Sequence, residues 1–299
     1  MNFNLSKCPS RLALLVASTA ALLLVAGCSD EEDYSDLSYI EKYTKDGWIP
    51  LFNGKNLDGW TVKFRNHEVG DNVLDTFRVE NGMLTASYDN WEKFGDEPYG
   101  HIFTNASYSG YKIRVEYRFV GEQVSVPPKL DWAFRNNGVM VHSQSPQSMG
   151  KDQRWPLSGE AQLLGGEVTP QTCSLKDKAL AIFGYRGRNT ANSCSNSTNI
   201  VKDGTAITRN CNNSSSPFLT GDQWVTFEGI VSKDGSIKHI INDKIVFEYA
   251  ELQVDPKDKW GKLWLDNGGP LKLTSGHIGL QAETHPTQFR YIGIKPLDD

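Results

Sequence analysis

The sequence predicts a β-sandwich. Residues Tyr111 to Phe119 alternate strictly: Tyr111, Ile113, Val115, Tyr117 and Phe119 share one face, and Lys112, Arg114, Glu116 and Arg118 share the other. Short apolar segments recur between turns of Asn, Asp and Gly. No long stretch carries the apolar period of an amphipathic helix. Many short strands without helices bury their apolar faces best as two stacked sheets.

The chain opens on something else. Lys7 and Arg11 precede an apolar run from Leu12 to Ala26, too short to span a bilayer comfortably and right for a signal peptide. Val25-Ala26-Gly27-Cys28 resembles the bacterial lipobox, so residues 1–27 are expected to be removed and Cys28 to be lipidated. The competing reading is a buried first helix. Acyl chains anchor by burying methylenes, so contact with the membrane is expected through the lipid alone. Ser29-Asp30-Glu31-Glu32-Asp33 begins a polar tether reading through residue 46. That run is similar to the serine-plus-acidic export signal of Bacteroidota lipoproteins. It implies the outer membrane, exposed at the surface, with the periplasm as the alternative.

About 270 residues then remain, enough for one sandwich with a substantial core. Residues 47–299 read as that domain. Trp224 to Val231 and Ile237 to Ile241 are expected strands, and Asn242-Asp243 turns the chain into Lys244 to Tyr249. His277 to Gln281 and Phe289 to Ile294 close the domain. Residues 185–220 have almost no apolar periodicity and read as a loop excursion from the sandwich. Cys173, Cys194 and Cys211 allow one disulfide and one thiol outside the cell. Cys194 and Cys211 share one Asn/Ser-rich stretch and are the favoured pair, although sequence does not fix connectivity. The net charge of −5, with no basic stripe, argues against nucleic acid as a partner.

One face of a sandwich sheet can form an open groove where polar side chains converge. Glu160 and Gln162 lie two apart and share a face, as do Met140 and His142, and Gln281 and Glu283; His285 follows. Arg135, Glu116 and Arg118 are candidates for its rim or floor. Each has a plainer reading. Glu116 and Arg118 suit a solvated strand face, and a lone His142 suits a hydrogen-bonded structural position. Glu160 is harder to dismiss, because Ala161, Leu163 and Leu164 place it beside the core, where a carboxylate needs partners. Trp132, Trp155, Trp260 and Trp264 could stack on sugar rings or fill the core. The Glu-x-Asp-x-x-Glu pair of retaining glucanases is absent, and so is a Gly-x-Ser-x-Gly nucleophile.

Ile49-Pro-Leu-Phe-Asn-Gly-Lys-Asn-Leu-Asp-Gly-Trp60 resembles the opening signature of the 3-keto-disaccharide hydrolase family. Tyr108 to Phe119, Asn137-Gly138 to His142, Glu160-Ala161-Gln162 and Gly276 to Phe289-Arg290 are similar to its later motifs, over roughly residues 47–296. Two positions depart from the pattern. Asn136-Asn137-Gly138 stands where the family has Asn-Ser-Gly. Gln281-Ala-Glu-Thr284 resembles its Gln-Ser-Glu-Gly variant rather than Gln-Asp-His-Gly. The resemblance implies a concanavalin-A-like jelly roll that cleaves glycosides already oxidised to a ketone at C3. The ketone acidifies the C2 proton, and the C1 oxygen leaves by elimination; the reaction either stops there or continues with addition of water. The base would be Glu160 or His142, the oxyanion stabilisers Arg135 and Gln162, and Gln281, Glu283 and His285 would bind the sugar or assist the leaving group. A divalent metal on His142, Glu160 and Glu283 would polarise the ketone, though nothing in the spacing demands one. No nicotinamide motif is present, so a separate sugar oxidoreductase is expected upstream. The alternative is a non-catalytic, lectin-like carbohydrate-binding lipoprotein on the same fold.

Overall fold

The structure is a computed structural model and describes residues 38–166, 189–207 and 211–298. Cys28 and Cys173 lie outside them, as do residues 1–27, expected as a signal peptide, and the acidic run. The described chain forms two antiparallel sheets, so the expected all-β jelly-roll sandwich is what is found. With strands numbered in chain order, the 10-stranded sheet runs β11 (Thr205–Ile207), β10 (Thr198–Lys202), β15 (Lys244–Val254), β14 (Ile237–Ile241), β13 (Val225–Val231), β6 (Tyr111–Phe119), β17 (Thr287–Pro296), β4 (Met83–Ala86) and β3 (Phe77–Glu80). β1 (Ile49–Pro50) pairs with β17. The 7-stranded sheet runs β12 (Cys211–Asn212), β9 (Asn192–Asn196), β8 (Ser158–Leu164), β7 (Asn136–Ser143), β16 (His277–Ala282), β5 (Gly100–Thr104) and β2 (Trp60–Phe64).

The alternation in β6 does what its pattern requires: Tyr111, Ile113, Val115, Tyr117 and Phe119 are all buried. They share one core with Val139, Val141, Ala161, Leu163, Ile278 and Leu280 of the opposite sheet. Each of the Val, Ile, Leu and Phe side chains among them contributes about 1.5–3 kcal/mol on burial. Asn242 and Asp243 both take positive φ, 47° and 65°, the conformation of a two-residue hairpin turn between β14 and β15.

Three expectations need correction. The tether does not run to residue 46, because Ser38–Lys45 form a helix, α1. Tyr43 of α1 is buried, packs on Tyr291 at 4.3 Å and donates to Glu116. Tyr43 docks the helix together with Tyr39, whose ring lies under the Arg290 guanidinium at 4.4 Å, and a reading of charge alone overlooks both. For the same reason Glu116 is not solvated. It is buried, accepts from Tyr43 and also from Arg290 Nε at 2.7 Å, and it belongs to the far sheet rather than to any groove floor.

The third correction concerns residues 185–220. Where they are described, they contribute strands to the sandwich: β9 extends the small sheet beside β8, and β10 extends the large sheet beside β15. Hydrogen bonds hold them alongside a few apolar contacts, chiefly Ala191 and Ile200 in the core. Ser214 Oγ donates to Thr190 O at 2.6 Å, and Ser214 N donates to Asn192 Oδ1 at 2.8 Å. A disulfide joins Cys194 of β9 to Cys211 of β12, 17 residues apart. Replacing both cysteines with serine is expected to lower the unfolding free energy by about 3 kcal/mol, read from denaturant titration, since a loop of this length loses its constraint in the unfolded chain.

Candidate active site

The face of the small sheet that points away from the core is polar. Cross-strand partners share a face, so register assigns it residue by residue. Met140 stands opposite Glu160, and Gly138 opposite Gln162. Gly279 stands opposite Met140. Gln281 stands opposite His101, which in turn stands opposite Lys63. Glu160 on β8, Gln281 on β16 and His101 on β5 thus line one surface, with Gly138 of β7 between the first two.

Gly138 makes room for the carboxylate. A Cβ there would lie 2.3 Å from Glu160 Oε1, so the side chain rests directly over this α-carbon. Glu160 Oε2 accepts from Asn196 Nδ2 of β9 at 2.7 Å. Oε1 has no hydrogen-bond partner. The carboxyl is 3% exposed. Burial pushes its pKa up to about 7, and the Asn196 bond opposes that only in part. A carboxyl poised there can take or give a proton near neutrality.

A second chain of side chains flanks the same surface. Gln162 Nε2 donates to Asn136 Oδ1 at 2.6 Å, and Asn136 Nδ2 donates to Glu283 Oε2 at 2.8 Å. Gln281 donates to Glu283 Oε2 at 3.0 Å and accepts from Trp155 Nε1 at 3.1 Å. Glu283 is the shared acceptor. Glu283→Leu leaves two buried donors unmet and is expected to cost about 1–3 kcal/mol for each. A thermal melt should show the loss, and Glu283→Gln should restore part of it.

Beside this surface opens a cleft of 450 Å³, lined among others by Trp155, Asn196, Thr198, Arg65 and Trp260. Asn196 and Trp155 are the groups bonded to Glu160 and Gln281, so the cleft floor lies next to both.

A family model for the 3-keto-alpha-glucoside-1,2-lyase-like domain matches residues 47–295. The chain belongs to that family. No curated protein matches the chain in sequence. Among solved structures it is similar to a protein from Parabacteroides distasonis provisionally assigned as a glycosyl hydrolase, with 19% identity, TM-score 0.48, and coverage of 86% of this chain and 97% of that one. It is similar to a laminarinase from Rhodothermus marinus, with 10% identity, TM-score 0.44, and coverage of 84% and 96%. It is also similar to a carbohydrate-binding module from Bacillus subtilis, with 9% identity, TM-score 0.42, and coverage of 82% and 99%. None of these three likenesses bears on what the site does.

In this lyase-like domain Glu160, Gln162, Gln281 and Glu283 lie on one surface, and three other expected residues do not. His142 turns inward, edge-on to Tyr111 of the large sheet at 6.2 Å, and burial lowers its pKa to about 4. His285 sits between Phe119 and Phe134 at 5.7 and 5.1 Å, and burial lowers its pKa to about 3. Arg135 donates to Asp222 Oδ1 at 2.9 Å, close to the start of β13. Backbone conformation explains two of the three. Arg135 and His142 have φ of 43° and 49°, in the left-handed region, and the pairing of β7 with β16 shifts register beside His142. An irregularity of that kind flips the parity of every side chain beyond it.

The ligand set His142, Glu160 and Glu283 therefore does not converge. Among the described residues no group of three or more His, Cys, Asp or Glu side chains is placed to hold a metal ion. Sequence reasoning also passed over Asn136, Asn196 and His101. Asn196 lies in the stretch read as an excursion. His101 is fully buried on the groove face with neither ring nitrogen bonded, and burial lowers its pKa to about 3. Its two-residue spacing from Phe103 on β5 was the available signal.

Proposed function

We propose that this protein cleaves glycosides carrying a ketone at C3, by elimination across C1 and C2 with Glu160 as the base. The single observation that carries the reading is the Glu160 carboxyl: buried, raised to about 7, and holding one oxygen without a partner above Gly138.

The ketone draws electron density from C2 and makes its proton removable. Glu160 Oε1 takes that proton, and the C2–H electron pair moves toward the C3 oxygen as an enediolate. The pair then returns to form the C1–C2 double bond as the C1–O bond breaks, and the leaving oxygen picks up a proton. The proton now on Glu160 is the nearest one available for it. Gln162 Nε2 keeps a second N–H beyond its bond to Asn136, a suitable donor to the negative C3 oxygen. Gln281, braced by Trp155 and Glu283, positions the sugar. Addition of water to the product completes a net hydrolysis. A separate oxidoreductase supplies the ketone, and Cys28 tethers the domain at the envelope surface, where such glycosides are met.

A lectin-like role is the second reading, favoured by the indoles of Trp155 and Trp260 along the cleft. It has no use for a carboxyl poised near neutrality. Incubating the mature domain with a 3-keto-glucoside and with its unoxidised parent separates the two. Aglycone released from the keto substrate alone is the expected result. Binding of both without release would leave only the lectin-like role.

A further inference from the structure

Trp260, which lines the cleft beside Glu160, lines a second cavity as well. We propose that the groove continues past this indole into a second subsite for an uncharged sugar unit, so that the substrate is an oligosaccharide rather than the glycoside of a small aglycone. The proposal rests on the reading above, in which the oxidised sugar lies at Glu160.

Trp260 lines two cavities. One is the 450 Å³ cleft that reaches Trp155 and Asn196. The other, of 330 Å³, is walled by Trp264, Leu263, Gln144, Gln153 and Asn267. Both indoles stand on a helix, α2 (Lys259–Asp266), whose N-terminus is fixed by Asp258 Oδ1 accepting from Trp260 N at 2.8 Å and Gly261 N at 3.1 Å. Residues four apart share a helical face, so Trp260 and Trp264 are neighbours along it.

The rings are set before any ligand arrives. A Cβ on Gly150 would lie 2.1 Å from the Trp260 indole, and one on Gly269 would lie 2.2 Å from that of Trp264. Trp264 Nε1 donates to Pro270 O at 3.0 Å. Rings held this way cost little further ordering on binding.

The chemistry of the walls selects the ligand. The second cavity is lined by no Asp, Glu, Lys or Arg. The first balances Arg65, Arg154 and Lys259 against Asp152, Asp255 and Asp258. An unpaired charge would lose its hydration in the neutral cavity without compensation. A sugar ring places its C–H face on an indole and its hydroxyls on amides and hydroxyls; Asn267 keeps one N–H beyond its bond to Leu263 O, Gln144 keeps one N–H beyond its bond to Ser148 Oγ, and Ser148 Oγ keeps a lone pair.

The test compares 3-keto gluco-disaccharides with the matching trisaccharides in α-1,4, β-1,4 and β-1,3 linkage, oxidised at the non-reducing glucose. For at least one linkage the trisaccharide is expected to gain about tenfold in kcat/KM over the disaccharide, and Trp264→Ala is expected to bring that ratio to about one. Leu263 is 46% exposed, so Leu263→Asp introduces a charge into the cavity with little burden on folding, and it should bring the same ratio down. No gain in any linkage overturns the proposal, as does a gain that survives both variants. If the wild type turns over none of the keto sugars, the reading of Glu160 fails on its own. Calorimetry with the unoxidised trisaccharides then decides the subsite: binding abolished by Trp264→Ala sustains it, and absence of binding removes it.

Discussion

Glu160→Gln is expected to lower turnover of a 3-keto-glucoside by about 10²–10⁴-fold, the usual contribution of a positioned general base. KM should change little, because the amide keeps the shape and can still accept from Asn196 Nδ2. In the wild type, kcat/KM should rise with pH through about 7, where the buried carboxyl ionises, and this limb should vanish in the variant. Stability moves the opposite way. The folded carboxyl titrates near 7 against 4.5 for its ordinary value, so folding holds the proton more tightly than the unfolded chain does. Its contribution is therefore complete below about 4.5 and is lost as pH rises through about 7, a difference of about 3 kcal/mol. At pH 8 the glutamine variant should unfold later than the wild type in a thermal melt, and at pH 4 the two should be closer. A variant that is less active yet more stable at alkaline pH is the signature of a charge kept in an unfavourable place for its chemistry.

Gly138→Ala is expected to separate activity from folding in a different manner. The added methyl would lie 2.3 Å from Glu160 Oε1 and 2.9 Å from its Cδ. What must yield is the end of a rotatable side chain, not backbone, so the fold survives. The carboxyl leaves its place over the strand, and misplacement of a reacting group by about 1 Å costs on the order of 10² in rate. Loss of turnover with a melting temperature near that of the wild type is the expected result. Full activity in the alanine variant would remove the strand surface above Gly138 from the reaction.

The two-sheet fold was legible because its signal is local. The alternation of Tyr111 to Phe119 and the Asn242-Asp243 turn each act within a few residues, and both are where the sequence places them. Where strands lack apolar residues, the signal disappears. β9 is Asn-Ser-Cys-Ser-Asn, joined to its neighbours by hydrogen bonds and a disulfide that no hydrophobic period announces. Asn196, the partner of Glu160, was hidden there. The site was half legible for a related reason. Two-residue spacing joins Glu160 to Gln162, since β8 runs regularly, and Gln281 to Glu283, which lies just past the end of β16 and is held by Gln281 and Asn136. It fails for His142 because β7 is interrupted by a left-handed residue, and nothing in Gly-Val-Met-Val-His marks that interruption. α1 was missed because its docking rests on distant contacts, Tyr43 with Glu116 at 73 residues' separation and Tyr39 with Arg290, which no local pattern encodes.

The central claim is that the C2–H bond breaks and that Glu160 receives its proton. The direct measurement uses a 3-keto-glucoside deuterated at C2, with the oxidised sugar released by the protein weighed by mass spectrometry and an enzyme-free incubation as the control for spontaneous exchange. Elimination predicts that the released sugar has lost the label, and that Glu160→Gln releases neither sugar nor deuterium above the control. Release of a sugar that retains its deuterium would mean direct displacement at C1, and the account of Glu160 given above would be wrong.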